Sequence, residues 1–157
     1  MIQEPVIGQA MRRTQVTDCR VFSFDAACVY AALIDFGSYP KWWPSELRLK
    51  VLSVTADFKG SRFEVRPRGG SFVCEVVAFV DQHELHIRYV DGLHRGNGLW
   101  TLRPHDNGTQ VCYQIDLEPQ GFVPRLLSNV IDFASIHSRG MEKVFDGLQQ
   151  WLIKSAQ

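Results

Sequence analysis

Few side chains in this sequence are placed to do chemistry, and His137 is the first of them. At 100° per residue, 124–154 (PRLLSNVIDFASIHSRGMEKVFDGLQQWLIK) reads as one amphipathic helix. Leu126, Leu127, Val130, Phe133, Ala134, His137, Met141, Val144, Phe145, Leu148, Trp151 and Leu152 share one arc, with Asp132, Arg139, Glu142 and Asp146 opposite. His137 is the only polar member of that arc. An imidazole titrates near neutrality, so three roles stand open. It can be a core residue bonded to a carbonyl or tyrosine, a handle for a ligand's carbonyl or hydroxyl, or a general acid/base. Tyr89 and Tyr113 each sit on an inward strand position, and either phenol can bring a hydroxyl to the same end.

Other chemistry-bearing residues combine less well. His83 and His86 (HELHIR) are three apart on a strand and face opposite sides, so they make poor joint metal ligands. HExxH, GxSxG and a glycine-rich phosphate loop are all absent from the sequence. Asp116 and Glu118 share a face, but it is the solvent face. Cys19, Cys28, Cys74 and Cys112 are scattered, without a CxxC pair, and read as reduced thiols of a cytoplasmic protein. No metal and no cofactor is expected. Seventeen basic residues balance seventeen acidic ones, which argues against nucleic acid as a partner. Arg62, Arg66 and Arg68 form the densest basic cluster, but Glu64 interrupts it, as on a solvated hairpin. No apolar run approaches the ~18 residues of a membrane span, so stable membrane insertion is not expected. MIQEPVIGQAMRR lacks the pattern of a secretory signal.

The elements that must position His137 and the tyrosines follow from periodicity. Within 157 residues, 45% hydrophobic and 22% charged, one domain is expected: a flexible arm over 1–14 and a single ligand-binding domain over 15–157. Residues 16–24 read as a strand, Asp25 as a helix N-cap, and AACVYAALIDF as a helix ended near Gly37. SYPKWWP is a stiff connection with room for one more helical turn. From Leu47 the period changes to 2, through about six strands joined by short turns, which makes neighbours antiparallel. The apolar run 71–80 implies cover on both faces or a bulge. DGLHRGNG, 91–98, reads as a flexible connection able to gate entry. This order predicts a two-layer α+β fold, an antiparallel sheet of six to seven strands under the long C-terminal helix. A sheet that wide curls, and one helix cannot fill its concave side, so a cavity is expected.

The inward sheet positions expected to line it are Phe63 and Val65, Ile87 and Tyr89, Trp100 and Leu102, and then Val111, Tyr113 and Ile115. From the helix come Val130, Phe133, Ala134, His137, Met141 and Val144. Such a lining suits a small apolar ligand with few polar groups.

YPKWWP after the first helix, the stretch GLWTLRPHDNGTQVCYQIDLEP, and GFVPRLLSNVID opening the last helix resemble the START-like superfamily, in its polyketide cyclase/dehydrase and coenzyme Q-binding branch. The resemblance spans 16–154 and implies a helix-grip fold, a curved antiparallel sheet wrapped around the C-terminal helix with two short helices after the first strand. It implies binding and carriage of a lipid, quinone, isoprenoid or polyketide in the tunnel. The alternative it implies is a polyketide cyclase/dehydratase with His137 and Tyr113 or Tyr89 moving protons. GLHRGNG departs from the quinone-binding members, whose corresponding loop is richer in apolar residues. A third reading is a protein-interaction module presenting the SYPKWWP aromatics.

Overall fold

The computed structural model describes residues 13–127 and 130–157. Most of the expected arm, 1–12, lies outside the described residues. Strand β1 (Thr14–Phe22) leads into α1 (Ala26–Ile34), where Asp25 caps the helix by accepting the Cys28 N–H at 2.8 Å. A 3-10 turn (Phe36–Ser38), α2 (Tyr39–Trp42) and a second 3-10 turn (Ser45–Leu47) follow. Six strands come next: β2 (Leu49–Ser53), β3 (Arg62–Val65), β4 (Phe72–Val80), β5 (Glu84–Gly92), β6 (His94–His105) and β7 (Gly108–Pro119). The chain closes with α3 (Phe122–Leu127) and α4 (Phe133–Ser155).

All seven strands form one antiparallel sheet in the order β1-β7-β6-β5-β4-β3-β2. Period-2 patterning decides the two faces. In β7, Val111, Tyr113, Ile115 and Leu117 are buried, while Cys112, Gln114 and Asp116 face outward. The apolar run in β4 is accounted for by two register breaks, at Val73/Cys74 and Val76/Ala78, which bend the sheet. Helix α4 lies in the resulting concavity and buries Met141, Val144, Phe145, Leu148 and Leu152. Each such side chain contributes about 1.5–3 kcal/mol. Gly147 permits its close approach to α2, because a Cβ there would meet the Trp42 carbonyl oxygen at 2.1 Å. Among the described residues, no helix is long and apolar enough to cross a membrane.

Four expectations are corrected. The C-terminal segment is not one helix from 124. Asp132 restarts it, accepting the Ser135 N–H at 3.1 Å and the Ser135 hydroxyl at 2.6 Å. An aspartate that satisfies helix-start donors in this way sets a new axis, so the single wheel fails at Val130. Residues 91–98 are not a flexible loop: β5 runs to Gly92, β6 starts at His94, and only Leu93 separates them. The glycines there serve close packing, since a Cβ on Gly96 (φ +146°) would meet the Asp116 carbonyl oxygen at 2.0 Å. The SYPKWWP aromatics are not presented to partners. Tyr39 and Trp42 are buried, Trp43 is half-buried, and the Tyr39 hydroxyl donates to the Leu33 carbonyl.

The fourth correction concerns the thiols. Cys19 and Cys112 occupy directly paired positions on β1 and β7 and are joined by a disulfide. Their pairing depends on a register between strands 93 residues apart, which no local spacing reports. Such a bridge fits an oxidising compartment or a redox-active link. Of the four thiols read as reduced, only Cys28 and Cys74 are free.

Because the bridge closes a long loop and ties down an edge strand, replacing both Cys19 and Cys112 by Ser should cost roughly 2–4 kcal/mol. Urea unfolding of the oxidised protein, the dithiothreitol-reduced protein and the double variant checks this. The last two should coincide and lie below the first.

Candidate functional site

A cavity of about 610 Å³ lies between the concave face of the sheet and the N-terminal half of α4. Its floor is Phe63 and Val65 of β3, Ile87 and Tyr89 of β5, Trp100 of β6, and Tyr113 and Ile115 of β7. Its roof is Phe133, His137, Met141 and Val144 of α4. The rim is formed by the β3–β4 turn (67–71), Leu93, and α3 with the link that follows it, through Pro124, Leu127 and Ile131. The other half of the concavity is filled. Phe22 packs on Phe145 at 5.9 Å between ring centroids, Phe145 meets Trp100 at 6.2 Å, and Leu148 is fully buried.

This division decides the fate of the remaining expected lining residues. Leu102 and Val111 are buried and paired with each other, but they belong to the filled half, which α1 also covers. Val130 is 79% exposed, standing between α3 and α4 rather than on the buried stripe. Ala134 is half-buried and does not reach the cavity.

The polar groups gather beneath α4. Tyr89 and Tyr113 share a hydrogen bond of 2.7 Å between their hydroxyls. Burial pushes both phenols up, so each stays protonated near neutral pH. One shared bond uses one of two protons, and the pair makes no second hydrogen bond among the described residues. A proton is left for an acceptor in the cavity. Gly98 makes room for this arrangement: a Cβ there would lie 2.2 Å from the Tyr113 hydroxyl.

His137 stacks near the Tyr113 ring, centroids 5.9 Å apart, and its Nδ1 stands 3.5 Å from Oδ2 of Asp18. Asp18 is the β1 residue paired directly with Tyr113. Neither Asp18 Oδ2 nor His137 Nδ1 has a hydrogen-bond partner among the described residues. Burial lowers the His137 pKa, the Asp18 charge pulls it up, and His94 pushes it down. His94, packed edge-on against Phe133 at 4.8 Å, is itself lowered by burial. A carboxylate beside Nδ1 favours the proton there, which leaves Nε2 as acceptor or base. Trp43 Nε1 adds a buried donor without a partner among the described residues. The arrangement can hold an apolar body and hydrogen-bond one oxygen function from two sides.

Asp18, His94, Trp43 and Cys74 were not among the site residues expected from the sequence; His94, Trp43 and Cys74 line the cavity. Asp18 had a readable signal: along β1 it falls on the same parity as Phe22, the inward one. His94 lay in a stretch read as a loop. Among the described residues, no three His, Cys, Asp or Glu side chains are grouped as a metal site would need.

A family model described as polyketide cyclase / dehydrase and lipid transport matches residues 13–150. Among solved structures, the chain is similar to the protein TTHA0849 from Thermus thermophilus, with 16% identity, a TM-score of 0.75, and coverage of 92% of this chain and 100% of that one. It is similar to a START superfamily protein from Mycobacterium smegmatis, with 16% identity, TM-score 0.68, and 89% and 97% covered. It is also similar to the Zhui aromatase/cyclase from Streptomyces, with 11% identity, TM-score 0.71, and 93% and 97% covered. At these identities the likeness shows a common fold. No curated protein matches the sequence.

Two outcomes follow from the geometry. Gly98→Ala should displace the Tyr113 hydroxyl and cost roughly 1–3 kcal/mol by overpacking. Thermal unfolding reads it, and Tyr113→Phe should relieve part of it by removing the clashing oxygen. His94 and His137 both have native pKa values below their ordinary 6.5. The unfolded chain then binds more protons in the window just under 6.5, so their contribution to stability is present above that value and lost as pH falls through the native values. His137→Gln should flatten this acid slope in unfolding measured from pH 7 downward, leaving the part due to His94.

Proposed function

The chain belongs to the polyketide cyclase / dehydrase and lipid transport family, and on that premise we propose that it binds and carries a small hydrophobic molecule in the cavity under α4. The observation that carries this reading is the apolar cavity of about 610 Å³, within the size range that encloses a small organic ligand. Burial of the ligand's apolar surface at ~25 cal/mol per Å² supplies the affinity. The Tyr89–Tyr113 pair donates to one ligand oxygen, and His137 Nε2 accepts from a hydroxyl. The ligand class is therefore a lipid, isoprenoid, quinone or polyketide with an apolar body and a carbonyl or hydroxyl at the end that lies beneath His137.

A second reading is favoured by one specific observation, the half-buried Asp18 carboxylate whose buried Oδ2 stands 3.5 Å from His137 Nδ1. The same oriented imidazole that would accept a ligand hydroxyl in a carrier could act as a base in an enzyme. In a cyclase or dehydratase, Asp18 would hold the tautomer and His137 Nε2 would remove a proton next to the substrate carbonyl. The free phenol proton would stabilise the oxygen on which charge develops. Similarity in fold to an aromatase/cyclase is compatible with this but does not select it.

Gly140 supplies a direct test. It lines the cavity, and a Cβ there meets nothing nearer than a Leu47 methyl at 3.8 Å. Gly140→Ala should keep the fold and raise stability by roughly 0.5–1 kcal/mol, whereas Gly140→Leu should occupy the cavity. In titrations with anilinonaphthalene sulfonate, displaced by fatty acids, isoprenoid alcohols and aromatic polyketones, wild type should bind and Gly140→Leu should bind roughly tenfold or more weakly. Equal binding by both would remove the cavity as the site. If His137→Leu retains binding but abolishes turnover of a polyketone, the enzyme reading replaces the carrier.

A further inference from the structure

The face of the sheet turned away from the cavity carries the Cys19–Cys112 bridge. Cys19 is exposed and Cys112 half-buried, so a soluble thiol can reach the sulfurs. The adjoining rung of the same ladder pairs Asp18 with Tyr113. Successive residues of a strand point to opposite faces, so the bridge stands outside and those two side chains stand inside. The covalent link is therefore one residue away, on both strands, from the two groups that flank His137. Asp18 Oδ2 lies 3.5 Å from its Nδ1, and the Tyr113 ring is 5.9 Å from its ring between centroids.

The two strands are not held equally. β7 lies between β1 and β6, whereas β1 is an edge strand whose one neighbour in the sheet is β7. The other ties on β1 sit toward its ends. Arg13, just ahead of it, pairs with Asp116 at 2.7 Å, Arg20 pairs with Asp146 at 2.6 Å, and Phe22 packs on Phe145. Both ion pairs have an exposed member, and such pairs hold weakly. The bridge is the tie at the middle of the strand, beside Asp18. Opening it takes a dithiol. One thiolate of the reductant attacks a bridge sulfur, the other cysteine leaves and takes a proton, and the reductant's second thiol closes its own disulfide. Two electrons and two protons pass to the bridge, leaving two thiols that need van der Waals room. The edge strand is then free to lift at this point. A lift carries Asp18 away from His137, while Tyr113 on β7 and His94 on β6 keep their places.

We propose that the Cys19–Cys112 bridge is a redox switch on the cavity: closed, it holds Asp18 behind His137; opened by a dithiol, it lets β1 lift there, and the imidazole loses its fixed tautomer and its grip on a ligand hydroxyl. The ligand part of this rests on the reading that His137 Nε2 accepts from the molecule in the cavity. The test uses the full chain at about pH 8, where His137 is neutral, with its ring nitrogens read by nitrogen-15 NMR. Oxidised wild type should show the proton on Nδ1. Dithiothreitol should shift it toward Nε2, and reoxidation should restore it, an arm that needs no variant. Asp18→Ala should show the shifted form already when oxidised, with no further change on reduction. Cys19→Ser with Cys112→Ser should not respond to dithiothreitol, which excludes Cys28 and Cys74 as the source. A wild-type tautomer indifferent to reduction overturns the proposal, and so does an equal response in Asp18→Ala or in the double serine variant. An isoprenoid alcohol, displacing anilinonaphthalene sulfonate, should bind the reduced protein roughly fivefold more weakly than the oxidised one. Equal affinity in the two states overturns the switch. Binding to neither state defeats the carrier reading instead, and the tautomer then upholds or overturns the bridge's control of His137 by itself.

Discussion

The structure depends on a mismatch in width. Seven antiparallel strands must curl, and a single helix is too narrow to fill the hollow they make. The sequence resolves the mismatch differently at the two ends of α4. Toward its C-terminus, Phe22, Phe145 and Leu148 close the space with bulk, and α1 covers what remains. Toward its N-terminus the stripe carries Phe133, His137 and Met141, and the β3–β4 turn, Leu93 and α3 stand around the gap without plugging it. Close packing is the rule in protein interiors, so a void of this size kept open is where function belongs.

What little polarity the cavity holds is held economically. Tyr89 and Tyr113 satisfy each other and keep one proton in reserve. Asp18 and His137 face each other at a distance too long for a strong hydrogen bond, each without another partner among the described residues. Unmet polar groups in a low-dielectric setting are costly in an empty site, and a ligand oxygen that meets them recovers that cost. For the proposed ligand, affinity would then come from apolar area and orientation from one end. The phenols stay neutral because burial opposes their ionisation, and the imidazole leans neutral for the same reason. That leaves a donor and an acceptor side by side near neutral pH.

Much of this was legible in the sequence where a local period carried it. The alternation through Phe63 and Val65, Ile87 and Tyr89, and Tyr113 and Ile115 placed those side chains inward, and the structure has them on the cavity floor. The centre of α4 was readable for the same reason. What escaped was non-local or ambiguous. The Cys19–Cys112 bridge needs the β1–β7 register, and β1 joins the sheet beside the last strand rather than the next. Asp132 looked like one more residue on a polar face, yet it caps the start of a separate helix, α4. The glycines between Asp91 and Leu99 looked like a loop because glycine usually signals one. In the structure Gly96 and Gly98 let β6 lie against the Asp116 backbone and the Tyr113 hydroxyl. Asp18 was readable by parity with Phe22, but it did not figure among the residues expected at the site.

The central claim is that the void under α4 exists to hold a hydrophobic molecule. Native mass spectrometry of the protein purified without detergent, followed by organic extraction, addresses it most directly. The account predicts a stoichiometric adduct that extracts into organic solvent and carries a carbonyl or hydroxyl function. A protein that is uniformly free of any adduct, and that acquires none when equilibrated with lipid, isoprenoid and polyketide extracts, would contradict it.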